Sequence, residues 1–528
     1  MFDYFRKSFS TLGVLVTVVV LSAASSTIAT TNANATLIAN ALLKKPAPWQ
    51  MFHRDAQHTG VAKGKGSVNP ATGPRVRWKF KVTQPPTTDD FLNYRWYSTL
   101  PLGDLDGDGT LEVVVTTPDN SGEASRVIAL KDDPTKRKKV RKLWTFTSPG
   151  ENVDGAGFDQ YSAALADADG DGKLDVLFTS KGGMVRALKG TNGNLIWEYN
   201  TTFFIEAGPM IADLDGDGTQ EVIVPTGCKD LSYPDPANCP AKLFVLHANP
   251  NGSSPFFYDV GFAYKLDSGE PAIMDLDPND GTNRKALILP TWGARLHVLW
   301  RKADNSIVNH SYDVRALDDT LPHDAKSVVR SSPLAYDFGQ GPTAVFGWMP
   351  DYTIGTDARI SAVGISADMN AGTVSFTPRW TIDRDDWKSS VALLPVTNPP
   401  LVVTGYGIGT AQGTGQYGKC DPLSGGIVAV KSNGDIAWEK NFNGAEGNVR
   451  GSVAVADIDG DKKLEVLLTV GCYGKIHAYN GANGNEEWNF QLGPRTIGTP
   501  SLGDLNGDGK LEIVAPSYDG KVWVLQGE

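Results

Sequence analysis

Cysteine is scarce in this sequence. The four present, Cys228, Cys239, Cys420 and Cys472, are never adjacent and never spaced Cys-x-x-Cys. That excludes zinc ribbons, thioredoxin-like redox pairs and other sites built on paired thiols. Histidine is scarce too. The seven imidazoles, His53, His58, His247, His297, His310, His323 and His477, fall singly on strand-like runs and in loops, and no Ser/His/Asp set with a nucleophile elbow accompanies them. A positive charge balance is missing: the formal net charge is -11, which argues against a nucleic-acid partner. Amphipathic helical periodicity is missing as well. After residue 24 no apolar run approaches the roughly 20 residues that a bilayer crossing needs.

The one long apolar run lies at the N-terminus. Arg6 and Lys7 precede the apolar residues 12–24, and a small, polar stretch ends in Ala33-Asn34-Ala35. This is the pattern of a secretory signal over residues 1–35; an uncleaved anchor is the alternative reading. The mature chain is then expected to be secreted, periplasmic or held at the cell surface, without a membrane span. Four cysteines in such a compartment suit two disulfides. Asn200, Asn251 and Asn309 stand in Asn-x-Ser/Thr sequons, which matter only in a glycosylating host.

Against these absences, one motif recurs: DLDGDGTLEVVV from Asp104, DADGDGKLDVLF from Asp167, DLDGDGTQEVIV from Asp213, DIDGDKKLEVLL from Asp457 and DLNGDGKLEIVA from Asp504. Side-chain oxygens at positions 1, 3, 5 and 9, with the backbone carbonyl of position 7, can wrap one hard cation. The expected ligand sets are Asp104, Asp106, Asp108, Thr110 and Glu112; Asp167, Asp169, Asp171, Lys173 and Asp175; Asp213, Asp215, Asp217, Thr219 and Glu221; Asp457, Asp459, Asp461, Lys463 and Glu465; and Asp504, Asn506, Asp508, Lys510 and Glu512. All-oxygen donors select calcium over zinc or copper, so about five calcium sites are expected. Glycines at positions 4 and 6 permit the tight turns. Lys462 at position 6 and Asn506 at position 3 predict weaker binding in their loops. EF-hand and dockerin readings need flanking helices, whereas here β-branched residues follow position 9 directly. The ions are read as structural staples, not catalysts.

Each turn opens a larger repeat. A strand follows it, then an alternating strand ending in an Ala-Leu type pair, an Asn-Gly turn and a strand bearing tryptophan, as in DVLFTS, GGMVRALKG and TNGNLIWEYN. Period-two alternation between Gly/Asn turns predicts antiparallel hairpins. Three more units, from Pro271, Ser331 and Ser390, keep the strands without the full motif. The eight starts lie about 46 to 63 residues apart, the period of four-stranded propeller blades. The predicted fold is all-β: an eight-bladed β-propeller over 74–528, after an N-terminal extension at 36–73. Predicted blades span about 98–146, 162–200, 208–265, 271–313, 331–381, 389–441, 452–490 and 499–528. The last unit ends without its tryptophan strand, and PRVRWKFKV at 74–82, around Trp78, has that strand's character, so it is expected to close the ring and remove an exposed edge. Disulfides Cys228–Cys239 within one loop and Cys420–Cys472 between matching loops of adjacent blades are expected.

These repeats resemble the FG-GAP/VCBS family, whose best-known members are the integrin α-subunit propellers. The Ala-Leu and tryptophan strands, with the entry segment WQMFHRDAQHTG from Trp49, also resemble PQQ-like propeller repeats. The resemblance implies calcium in the turn between the first two strands of a blade, at the five matching loops. The adjacent cysteine pair that lies against the cofactor in quinone dehydrogenases is absent, so pyrroloquinoline quinone is not expected.

The connections facing away from the calcium turns are aromatic: TTDDFLNYRWYS, ENVDGAGFDQYS and TTFFIEAG. Variable loops on a rigid scaffold are where binding usually resides, so Trp96, Tyr97, Phe158, Tyr161 and Phe204 are the candidate ligand contacts; the alternative is that they pack into their own loops. The functional expectation is a monomeric, non-catalytic binding or adhesion module for an extracellular glycan or protein. The alternatives are a polysaccharide lyase or hydrolase, using loop carboxylates such as Asp89, Asp90, Asp154, Asp159 or Glu206, and an envelope assembly scaffold. The basic run KRKKVRK at 136–142 reads as a solvated hairpin or as a contact for an anionic polymer.

Overall fold

A computed structural model describes residues 49–528 apart from 83–98, 118–125, 149–161, 181, 206, 228–241, 250–255, 260–269, 292–293, 319–327, 330, 351–357, 385–388, 408–424, 443–448, 450, 472–473, 495, 497 and 518. The four cysteines and Trp96, Tyr97, Phe158 and Tyr161 lie outside the described residues. No helix among the described residues is long and apolar enough to cross a membrane.

Among the described residues the hairpin alternation produces eight sheets: seven are built around four consecutive antiparallel strands, and the eighth around three that a strand from the N-terminal side completes. Blade 1 contains Leu102–Gly103, Glu112–Thr117, Arg126–Asp132 and Val140–Thr147, and the others follow the same order to Lys521–Gln526. The first strands are short and mostly apolar. Those of neighbouring blades lie side by side, Leu102–Gly103 beside Ser501–Gly503, and that strand beside Ala454–Asp457, so they ring the axis. Arg75–Lys81 pairs antiparallel with Lys521–Gln526, from Arg75 opposite Gln526 to Lys81 opposite Lys521. The N-terminal strand therefore supplies the outer strand of blade 8, as its sequence character predicts. In blade 1's outer hairpin, Lys136, Arg137, Lys138, Lys139, Arg141 and Lys142 are exposed.

The tryptophans of the outer strands clasp successive blades. Trp144 Nε1 donates to Gly190 O at 2.6 Å, Trp197 to Ala248 O at 3.0 Å, Trp380 to Ser432 O at 2.9 Å and Trp438 to Gly481 O at 2.8 Å. Across the closure, Trp78 Nε1 donates to Asp132 Oδ1 at 2.9 Å. The indole of Trp144 lies under the turn of the next blade: a Cβ on Gly193, at φ +75°, would sit 2.6 Å from its ring. This contact is one reason the turn needs glycine.

A second tie runs nearer the axis. Thr99 N donates to Ser162 Oγ, Glu270 N to Ser332 Oγ, Ser332 N to Ser390 Oγ, Ser390 N to Ser452 Oγ and Ser452 N to Thr499 Oγ1, at 3.0–3.1 Å. Each bond joins one blade to the next. Every one of these residues is buried, where an unpaired amide would cost about 1–3 kcal/mol.

The axis itself is filled by residues 49–60. The carbonyls of Trp49, Gln50, Ala56, Gln57, Thr59 and Gly60 accept from Leu102, Leu165, Ile273, Ala335, Leu393 and Val455, at 2.8–3.2 Å. These donors lie on or beside the first strands of blades 1, 2, 4, 5, 6 and 7, and Ala56 packs on the apolar cluster between blades 3 and 4. The chain then runs as Val61–Lys65, parallel to Ala454–Asp457, and Lys65 O accepts from Leu511 N of blade 8 at 2.9 Å. The tight circuit puts His53, Arg54 and His58 at positive φ. Trp49, His53 and His58 are fully buried. Burial holds the imidazoles neutral, lowering His53 to about 3 and His58 to about 4, because a charged ring in an apolar site is unfavourable.

Candidate metal centres

Each acidic motif folds into the hairpin turn between first and second strands, and the position-1 aspartate organises it. Asp104 Oδ1 accepts from Gly107 N at 2.7 Å and Oδ2 from Gly109 N at 2.8 Å. Asp167 and Asp504 repeat the pattern with Gly170 and Gly172, and with Gly507 and Gly509. Asp213 does so with Gly216 and Gly218. Asp457 binds Gly460 N and, at position 6, Lys462 N. The glycines at positions 4 and 6 have φ between 74° and 91°, and Lys462 is forced to +72°, a region unfavourable for a side chain with a Cβ.

The position-9 acid starts the second strand and is buried. One carboxylate oxygen is fixed in every turn by the N–H of position 2: Glu112 by Leu105, Asp175 by Ala168, Glu221 by Leu214, Glu465 by Ile458 and Glu512 by Leu505, at 2.7–3.0 Å. In the four glutamate turns the other oxygen is left for the turn's interior, whereas in turn 2 Asp175 Oδ1 accepts from Gly190 N at 2.8 Å. Glu112 Oε1, Glu221 Oε1 and Glu465 Oε1 are buried there without a well-aligned hydrogen bond among the described residues, and of the three Glu112 Oε1 alone has an ammonium, Lys131 Nζ, at 2.9 Å. Burial, reinforced by the neighbouring aspartates, raises Glu221 to about 7 and Glu465 to about 8. A buried carboxylate oxygen with no donor, facing other carboxylates, is what a cation site looks like before its ion is counted.

Four turns bring three such groups together, with ligand atoms within 4.8 Å of one another: Asp104, Asp106 and Asp108; Asp167, Asp169 and Asp175; Asp213, Asp215 and Glu221; and Asp457, Asp459 and Glu465. The all-oxygen donor sets and the orphaned glutamate oxygens fit a hard divalent ion. In the fifth turn Asn506 changes the chemistry. Its Oδ1 accepts from Asp508 N at 2.9 Å, and its Nδ2 donates to Glu512 Oε1 at 2.7 Å. A donor thus stands where the other turns have an acceptor.

The degenerate fourth turn supplies its own cation. Arg284, in place of the last acid, reaches Asp280 Oδ2 at 3.2 Å. Of the candidate ligand-contact aromatics, only Phe204 is described. It is buried, and its backbone bridges to Gly227. The residues that sequence reasoning missed are the hydroxyl belt and the axial segment. The belt leaves a trace: Thr99, Ser162, Ser332, Ser452 and Thr499 each stand five positions before the start of their blade's loop.

The chain carries FG-GAP-like repeats: the model of that repeat matches residues 104–178, 167–224 and 457–515, which include all five acidic turns. No curated protein sequence matches the chain significantly. Among solved structures it is similar to a europium-containing methanol dehydrogenase, with 14% identity, TM-score 0.55, and 93% of this chain and 100% of that one covered. It is also similar to the quinohemoprotein alcohol dehydrogenase from Comamonas testosteroni, with 12% identity, TM-score 0.51, and 91% and 81% covered. At these identities the likeness is one of fold.

Proposed function

We propose that this protein is an exported, calcium-stabilised propeller that works as a non-catalytic binding or adhesion module. The ions staple the hairpin turns of one face, and a glycan or peptide ligand is met by the loops of the other, through Trp96, Tyr97, Phe158 and Tyr161; Phe204, being buried, is not one of these contacts. The observation that carries this reading is the filled axis. Residues 49–60 occupy it through six backbone hydrogen bonds to the inner strands, which leaves the peripheral loops as the surface for a partner. The FG-GAP-like repeats and the acidic turns support the calcium part. Aromatic side chains beside loop carboxylates suit sugar rings or peptides, since buried aromatic anchors dominate many interfaces.

The test is a glycan and peptide array probed with the mature protein in calcium, followed by variants on the best ligand. Trp96→Ala and Tyr161→Ala should each weaken binding by about tenfold or more, a loss of ~1.4 kcal/mol, without loss of folding. Asp213→Ala should lower stability yet leave the affinity of the folded protein nearly unchanged. Polysaccharide cleavage by the same protein would overturn the non-catalytic reading. Loss of binding in folded Asp213→Ala, with the aromatic variants unaffected, would place the ligand at the metal turns instead.

A further inference from the structure

We infer that the acidic turns are of two kinds: in blades 1 and 2 a lysine tethered on the third strand, Lys131 or Lys189, holds the place that a divalent cation takes in blades 3 and 7. The inference rests on the calcium reading above and divides the sites that the motif makes look alike.

The division comes from strand register. In every blade with an acidic turn, the antiparallel pairing sets one third-strand position opposite the position-9 acid. Lys131 stands opposite Glu112, and His247 opposite Glu221. Asn480 stands opposite Glu465. Lys189 follows Leu188, the partner of Val176, and so faces Asp175; Gln526 follows Leu525, the partner of Ile513, and so faces Glu512. Five turns of one motif therefore meet two lysines, a histidine and two neutral amides.

The lysines reach inward. Lys131 Nζ lies 2.6 Å from Asp106 Oδ2, 2.6 Å from Asp108 Oδ2 and 2.9 Å from Glu112 Oε1, with its side chain 7% exposed. These oxygens come from positions 3, 5 and 9, all members of the expected ligand set. Lys189 Nζ contacts Asp169 Oδ2, and Asp171 Oδ2 at 2.7 Å, from positions 3 and 5. An ammonium group is a compact charge with three donors, so it can satisfy three carboxylates that would otherwise repel one another. In blades 3 and 7 that role is open. Glu221 Oε1 has only His247 Nδ1 at 3.4 Å, without a hydrogen bond, and Glu465 Oε1 has no hydrogen-bond partner among the described residues. Lys463 reaches the position-5 carboxylate Asp461 from the solvent side, 65% exposed, and makes no ion pair with Asp457, Asp459 or Glu465 among the described residues. The fourth turn shows the same device in another position, with Arg284 against Asp280. A calcium ion entering turn 1 or 2 must displace an ammonium already bound to its ligands, whereas turn 7 opposes it only with the exposed Lys463 on Asp461 and turn 3 with no ammonium ion-paired to its carboxylates among the described residues.

Calcium stoichiometry tests this, measured by equilibrium dialysis on the full mature chain together with the melting temperature at each calcium concentration. The Lys131→Met/Lys189→Met protein, prepared in calcium so that its turns are never left uncompensated, should bind two more ions per chain than the wild type and show a larger calcium-dependent rise in melting temperature. The single variants should add one ion each, and Lys131→Arg/Lys189→Arg should keep the wild-type count. An equal count in wild type and the methionine double variant, with calcium bound in both, overturns the lysine assignment and leaves the calcium reading standing. Absence of calcium from both proteins overturns the two together.

Discussion

Cutting the chain back past the axis measures how far the ring depends on its own N-terminal segment. Deleting everything before Val61 removes six carbonyls that accept from inner-strand amides. At about 1 kcal/mol net for each bond, this amounts to ~6 kcal/mol. Trp49 is fully buried and Met51 nearly so, and emptying a buried tryptophan site costs about 3–5 kcal/mol. Water can hydrate the vacated amides and return part of the loss. The remainder is still on the order of 5–10 kcal/mol, comparable with the whole stability of an ordinary domain. Urea unfolding, followed by tryptophan fluorescence and far-ultraviolet circular dichroism, should show a chain starting at Val61 unfolded or shifted to a much lower midpoint. A chain starting at Pro46 should match the mature protein. Gly60→Ala gives a graded version, because φ is +64° and the new Cβ would lie 2.9 Å from Ala392 Cβ. Coincident midpoints for the Val61 and Pro46 chains would refute the claim that the axial segment holds the blades together.

Between pH 6.5 and 8 the calcium-free protein should lose stability as pH rises. Glu465 and Glu512 keep their protons up to about 8 when folded, and Glu112 and Glu221 up to about 7, whereas the unfolded chain has released them above about 4.5. Saturating calcium should flatten this slope, and a flat calcium-free profile would contradict it. Below pH 6.5 the calcium-loaded protein should weaken progressively, because the unfolded chain takes up protons that buried His53 and His58 refuse until about pH 3 to 4; His53→Phe/His58→Phe, if folded, should remove that part of the acid sensitivity. Gly193→Ala, which drives a Cβ to 2.6 Å from the Trp144 ring at positive φ, should destabilise by roughly 2 kcal/mol or more, seen as a lower urea midpoint. Peptide mapping without reduction should find Cys228–Cys239 and Cys420–Cys472 links; free thiols at all four positions would count against an oxidised exported protein.

The blades and the acidic turns were legible because their signals are local. A carboxylate every second residue, followed by β-branched residues, marks a turn and the strand after it without reference to anything distant. The closing strand was legible for a related reason: Trp78 sits in a pattern that the final unit lacks. The axial segment was hidden because it bonds through backbone carbonyls, which every sequence supplies, and WQMFHRDAQHTG has neither strand nor helix periodicity. The lysines were hidden by unequal hairpins. Lys131 follows Glu112 by 19 residues, Lys189 follows Asp175 by 14, and His247 follows Glu221 by 26. No fixed spacing exposes a position that only register defines. The hydroxyl belt left a regular trace, but a serine five residues before a turn has no meaning until the neighbouring blade is in place.

The pairing of Arg75 with Gln526 has a kinetic side. It joins residues about 450 positions apart, and contacts of that separation form late because the loop they close must first be ordered. A ribosome delivers Arg75 about 450 residues before Gln526, so the strand that completes blade 8 waits while the blades between are made. Under the proposed export, the wait would leave the chain unfolded while it crosses a membrane. An open array of repeats can nucleate anywhere and grow, but a ring sealed by Arg75–Lys81 has no stable half, and a chain cut short before Gln526 leaves unpaired strand edges for aggregation or proteolysis to find.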